Sequence, residues 1–228
     1  QQLQDELVLT MDRLSDTADA RAIVLTGKGR VFSAGADMKS RGPMTEPGKL
    51  LAHSRRTREC FYSILECRKP VIGAINGPAL GAGLAVAASC DILFASNNAS
   101  FGLPEIDVGL LGGGRHAMRL FGQSLTRRMM FTGYRVPADE LYRLGVIEAC
   151  LPPEELLPRA MAMAESIASK SPLAIGMAKH ALNSIEEMSL RDGYRFEQDM
   201  TMSLSKSDDA REAQKAFLEK RTPVYSGR

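Results

Sequence analysis

An α/β core followed by an all-helical C-terminal region is the fold class the sequence predicts, and three observations predict it. Up to about residue 151, short apolar, β-branched runs alternate with segments of helical period. Within that part, VIGAINGPALGAGLAVAASCDILFA (71–95) reads as a strand, a tight glycine turn, a short buried helix and another strand. From Pro153 to about Lys220 every segment reads as an amphipathic helix instead. The expected division is a core over 1–152 and a helical region over 153–228.

Taken in order, the chain opens inside a helix over 3–15, with Leu3, Leu7, Met11 and Leu14 on one face. It lacks an initiator Met, so the gene product is expected to start earlier. Ala22 to Leu25 is a short buried strand, and the loop TGKGRVFSAGADMKS follows it. A polar stretch, Gly42 to Gly48, precedes a helix over about 49–67 with Phe61, Ile64 and Leu65 facing inward; Pro70 closes that segment. After Val71 to Ile75 the chain turns at Asn76-Gly77-Pro78 and passes Leu80-Gly81-Ala82-Gly83 into the helix Leu84 to Ala88. A strand over 92–95 leads to FGLPEIDVGLLGGGRHAMRLFG, whose glycine-rich turn feeds a helix. Ser124 is expected to cap a further helix through Met130. Val136-Pro137-Ala138-Asp139-Glu140 opens another, and Val146 to Leu151 reads as an edge strand. The C-terminal helices break at Ser171-Pro172, Met188-Ser189 and Ser205–Asp208, and their apolar faces are expected to pack on neighbouring subunits.

With 228 residues the chain is long enough for one sizeable core. A formal charge of +2, scattered basic residues, no Trp and 6% aromatics argue against nucleic acid as a partner. No run approaches the roughly 20 apolar residues that span a bilayer, so no membrane association is expected. The N-terminus lacks the basic and apolar regions of a signal peptide. Cys60, Cys67, Cys90 and Cys150 show no paired spacing and no nearby histidine pair. Reduced thiols, no metal site and a cytoplasmic location are therefore the expectation.

From Val71 to Ser89 the chain holds no acid, no base and no nucleophile stronger than serine. Two loops nonetheless share a design, Ser33-Ala34-Gly35-Ala36-Asp37 and Leu80-Gly81-Ala82-Gly83. Each follows an apolar run and presents small residues before a helix. Small residues let the backbone approach a ligand, and the first amides of a helix have no internal acceptor. Two such amides converging would hold an oxyanion, at roughly 3 kcal/mol per donor. Equally, both loops could be tight turns around a packed core.

The segments GKGRVFSAGADMK, PVIGAINGPALGAGLAVAASCDILFAS, FGLPEIDVGLLGGG and AFLEKRTPVYSG, in that order, resemble the enoyl-CoA hydratase/isomerase (crotonase) superfamily over nearly the whole chain. The family's N-terminal strand pair has no counterpart in the sequence. The resemblance implies a crotonase-like spiral of ββα turns and a C-terminal region that builds a homotrimer, often paired into a hexamer. It implies an acyl-CoA thioester substrate, with coenzyme A as part of the substrate and no other cofactor. The amides of Ala36 and Ala82 are then the oxyanion donors. Backbone of Ala34, Ala36, Asp37 and Met38 would receive the CoA adenine end, and Phe217 and Lys220 would contribute from a neighbouring subunit.

Hydratases of this family place one carboxylate just after the second loop and another in a Pro-Glu motif. Glu105 matches the second position, whereas Ala85 stands at the first. One carboxylate suffices to shuttle a proton between the α and γ carbons; water addition needs another group. Asp107 is a candidate, sharing a face with Glu105 if that segment is extended, and otherwise a solvated loop residue. His116 is another, otherwise structural. The FGLPE and GYRFEQDMT segments also resemble members that open β-keto rings by hydrolysis, several of which lack the first carboxylate. A non-catalytic binding protein is a further alternative. A serine hydrolase using Ser33 or Ser89 has no nucleophile-elbow motif to support it.

Overall fold

The computed structural model describes residues 2–36 and 47–228. Two small sheets stack the chain into a spiral. The first is wholly parallel, in the order β1 (Ile23–Thr26), β2 (Val71–Ile75), β4 (Ile92–Ser96), β7 (Cys150–Leu151). The second pairs β3 (Ala79–Leu80) in parallel with β5 (Ser100–Gly102), which runs antiparallel to β6 (Arg135–Pro137). Each turn lays one strand in each sheet and then a helix: β2, β3 and α3 (Ala82–Ala88), then β4, β5 and the helices beyond. The first turn contributes β1, a single bridge from Ser33 to Ala79, and α2 (Pro47–Leu65). This is the ββα spiral expected from the resemblance.

Burial on both faces explains why β2 is unbroken apolar rather than alternating. Val71 and Ile75 join the larger core with Ile64, Leu84, Phe101 and Met129. Ile72 and Ala74 point the other way, onto Leu156, Ala160 and Ala164 of α7 (Pro153–Ala168). The N-terminal helix, α1 (Gln2–Asp16), buries Met11 and leaves Leu3 exposed.

Four sequence expectations change. The segment after Phe101 is not extended: Pro104–Val108 forms a 3₁₀ turn. Val136 lies in β6, opposite Phe101, because the following Pro137 disfavours helical backbone before it, and α6 (Ala138–Arg143) starts only beyond. Ser124 caps nothing; α5 (Gln123–Thr132) begins at Gly122 without a side-chain cap, and α4 (Gly114–Leu120) precedes it. The edge strand expected over 146–151 is confined to Cys150–Leu151.

The C-terminal helix breaks fall where the sequence places them. Ser171, Ser189 and Ser207 each accept a hydrogen bond from the first turn of α8 (Pro172–Ile185), α9 (Leu190–Leu204) and α10 (Asp208–Leu218). Buried Lys179 of α8 donates to Ile64 O, Lys69 O and the Asp91 carboxylate, which satisfies all three of its protons and fixes α8 on the core. Asp209 accepts from Ser171 Oγ and from the Ser226 and Gly227 amides, which holds the C-terminal tail against α10.

Candidate functional site

The two small-residue loops meet because each leaves a neighbouring parallel strand. Ser33 N–H donates to Pro78 O (3.1 Å), and Leu80 N–H donates to Ser33 O (2.8 Å). Past this bridge the glycines set the spacing. Gly35, at φ +95°, lies so near the second loop that a Cβ would sit 2.9 Å from Leu80 O and 3.5 Å from Ala82 N. A Cβ on Gly83 would collide with the Ser33 carbonyl. Ala36 therefore follows a residue in contact with the start of α3, and Ala82 is the first residue of that helix, where an amide has no intrahelical acceptor. Ala34 and Ala36 are exposed; Ala82 is half-buried. Asp37 and Met38 lie outside the described residues.

Glu105 reaches this point from the third turn of the spiral. Its carboxylate lies against Gly81, whose φ of +56° and close contact with Oε1 leave no room for a Cβ. Oε2 is buried without a hydrogen-bond partner. Burial pushes the Glu105 carboxyl above the ordinary glutamate value, opposed by its own backbone amide. Gly113, at φ +74°, closes over the same place: a Cβ there would meet Leu103 Cδ2 at 2.6 Å and Gly81 O at 3.9 Å. The glycine turn thus packs on Leu103 and near the Gly81 carbonyl, a contact that its sequence, read as a helix lead-in, did not signal.

Ala85 is 1% exposed and one helical turn past Gly81, to whose carbonyl its amide donates. A carboxylate at this position would have been carried on the same face as Gly81. Asp107 does not join Glu105. In a 3₁₀ turn, residues two apart diverge, and the Asp107 carboxylate lies against Gly133 at the end of α5 instead. His116 packs edge-on to Phe61 of α2, with ring centroids 4.7 Å apart. Burial, then the Arg119 and Arg115 charges, push its pKa down. Ser89 is fully buried and donates to Ala85 O, within its own helix. Ser33 Oγ accepts from Gly35 N–H at 3.4 Å.

At the far end of the chain, Phe217 is 83% exposed. Lys220 is the one non-glycine residue with left-handed backbone among the described residues (φ 54°). It closes α10 in a Schellman arrangement, with Arg221 N–H on Ala216 O and Lys220 N–H on Phe217 O. Glycine normally takes that position, so a lysine there carries backbone strain. The sequence did not single out Asn76. Its carboxamide accepts from Gly27 N–H and donates to Gly29 O, both at 2.9 Å, so it ties the base of the first loop to the end of β2. The only sequence signal was a turn, Asn76-Gly77-Pro78.

The family model described as enoyl-CoA hydratase/isomerase matches residues 1–228. A probable mitochondrial enoyl-CoA hydratase of Dictyostelium discoideum is 37% identical over 226 residues, covering 98% of this chain and 80% of the relative. A Mycobacterium tuberculosis hydrolase of (7aS)-7a-methyl-1,5-dioxo-2,3,5,6,7,7a-hexahydro-1H-indene-carboxyl-CoA is 36% identical over 203 residues, covering 89% and 82%. The crystal structure of an enoyl-CoA hydratase from Bacillus anthracis superposes with a TM-score of 0.93 at 33% identity, covering 99% of this chain and 89% of that one.

Proposed function

This chain belongs to the enoyl-CoA hydratase/isomerase family and is an acyl-CoA enzyme; from that premise we propose that it stabilises a thioester enolate between the Ala36 and Ala82 amides while Glu105 moves the proton. The observation that carries this reading is the Glu105 carboxylate, half-buried with one oxygen unpartnered against Gly81, the residue that precedes Ala82. A thioester oxygen placed between the two loops gains negative charge when its α-carbon loses a proton. Fixed amide dipoles oppose that charge most strongly in the transition state. Glu105 takes the α-proton as a carboxylate and returns it as a carboxylic acid, and its raised pKa brings it nearer the pH at which both forms are accessible. With Ala85 at the other carboxylate position, return of the proton to the γ-carbon, a double-bond isomerisation, needs no further group.

A second reading has its own support, the M. tuberculosis hydrolase among the relatives. Glu105 would deprotonate a water as it adds to a ring ketone β to the thioester. The C–C bond to the α-carbon breaks, its electron pair forms the enolate held by the two amides, and the proton on Glu105 goes to that carbon. The same donors serve both reactions.

Backbone from Ala34 to Met38 would bind the adenine end of CoA, with Phe217 and Lys220 supplied by a neighbouring subunit of a homotrimer or of a hexamer built from two. Their exposure supports this, as does that of Leu190 (91%) and Tyr194 (60%) on α9. Free thiols at all four cysteines, three of them buried, fit a reducing compartment. Among the described residues no helix is long and apolar enough to cross a membrane.

Incubation with crotonyl-CoA, a 3-enoyl-CoA and a cyclic β-keto acyl-CoA, followed by product fragmentation in a mass spectrometer, separates hydration, isomerisation and ring cleavage. Glu105→Gln is expected to lower kcat on the active substrate about 10²–10⁴-fold while the Kd for the CoA ester changes little. Full turnover by Glu105→Gln, or binding of the esters with no turnover by the wild type, overturns the reading.

A further inference from the structure

We propose that Asn76 is a positioning residue for the oxyanion pair, acting as a plug that fixes how the first loop reaches Ala36; this rests on the enolate reading above. The two chains leave the parallel sheet side by side, with Thr26 level with Ala74. They meet again at the Ser33–Ala79 bridge. Between these two points the segment from β2 has a short path, Ile75-Asn76-Gly77-Pro78, whereas the segment from β1 spends the longer stretch 27–32. The surplus is folded into a closed loop. A Cβ on Gly27 would lie 2.6 Å from both Phe32 Cα and Val31 O, and one on Gly77 would strike the Arg30 carbonyl. Asn76, half-buried, fills the base of that loop. Its Oδ1 accepts from Gly27 N–H and its Nδ2 donates to Gly29 O. Gly29 itself is held in left-handed backbone (φ +85°). Beside it, Thr26 Oγ1 donates to Ala74 O at 2.7 Å.

A carboxamide suits this place because it holds an acceptor oxygen and an NH2 donor in one plane, matching one amide and one carbonyl of the loop. Without it Gly27 N–H and Gly29 O lose these two hydrogen bonds. The slack then passes along 30–32 to Ser33 and loosens its bridge to Ala79, the contact from which the first loop rises to Ala36. Glu105 and the start of α3 lie in other turns and keep their places. The spacing of the donors matters most for the charge that develops in the transition state, so kcat suffers more than KM.

The test uses full-length Asn76→Ala and Asn76→Asp, the latter keeping the acceptor for Gly27 but losing the donor to Gly29. Circular dichroism confirms folding, kcat and KM are measured on the active substrate, and isotope-edited difference infrared reads the thioester C=O stretch of bound acyl-CoA. In the wild type the stretch is expected to shift to lower frequency on binding. Asn76→Ala is expected to lose most of that shift and about 10–100-fold in kcat, less than the roughly 10²–10³-fold that outright loss of one oxyanion donor costs, with Asn76→Asp between. Wild-type kcat and an unaltered shift in Asn76→Ala overturn the proposal. If Asn76→Ala fails to fold, an unaltered shift in Asn76→Asp does so. A wild type that binds acyl-CoA with no carbonyl shift overturns the enolate reading instead, and this inference with it.

Discussion

At the scale of single residues, the fate of Glu105 is set by burial without a partner. Its carboxyl is pushed above the ordinary glutamate value, so the proton is released only at a higher pH than an exposed glutamate would need. As a base it works ionised, and kcat should therefore fall as pH drops through that raised value, with an inflection above the usual carboxylate range. Stability runs the opposite way. A group whose folded pKa is raised contributes stability that is present below its unfolded pKa and is lost as pH rises through the folded one. Glu105→Gln, uncharged throughout, should melt above the wild type at neutral pH and converge with it in acid. Parallel thermal melts across pH check this, and a wild type more stable than Glu105→Gln at neutral pH would sink the account. Glu105 could be singled out from the sequence by its Pro-Glu setting. Asp107 could not be judged there, because its direction depends on whether the segment is extended or coiled, and Gly109, in left-handed backbone, ends a 3₁₀ turn that only the packing of α5 requires.

At the scale of elements, the sequence displayed what burial dictates and concealed what neighbours dictate. β2 was plain because all five residues are buried and apolar. The C-terminal helix breaks were plain because Ser at each boundary is a local signal. β3, β5 and β6 are two or three residues long, and nothing local marks them; they exist because the second sheet pairs them. The contact between α3 and the first loop belongs to the same hidden class. A methyl on Gly83 has to displace the Ser33 carbonyl and Cβ, and α3 cannot move without carrying Ala82 with it. Gly83→Ala is therefore expected to lower kcat about 10²–10³-fold, the cost of one misplaced oxyanion donor. A folded Gly83→Ala with wild-type kcat would show that the loops tolerate a wider gap.

For the molecule as a whole, the C-terminal arm is where the proposed assembly can be tested. Leu190, Tyr194 and Met202 of α9 are exposed, as are Phe217 and Leu218 of α10. In the proposed trimer these faces are covered, and Phe217 and Lys220 meet a neighbour's CoA. Leu190→Glu should then shift the mass found by light scattering from trimer or hexamer towards monomer and raise KM for the acyl-CoA. An unchanged mass would remove α9 from the interface. The helical nature of this arm was readable from its periodicity, but which face stays bare was not, since that depends on how α8 is fastened by Lys179.

The stacking of turns along one direction also bears on the order in which the protein can assemble. The Ser33–Ala79 bridge joins only the first and second turns, whereas Gly81 N–H is satisfied by Gly102 O from the third. A chain emerging from the ribosome N-terminus first can therefore pair its two donor loops before the segment bearing Glu105 has been synthesised. The charge-stabilising half of the site would be built first, and its proton carrier delivered to a surface already in place. Pulse-labelled hydrogen exchange during refolding reads this sequence directly, with Leu80 N–H, donor to Ser33 O, gaining protection no later than Gly81 N–H. Protection in the reverse order would mean that the third turn is the template on which the first two close.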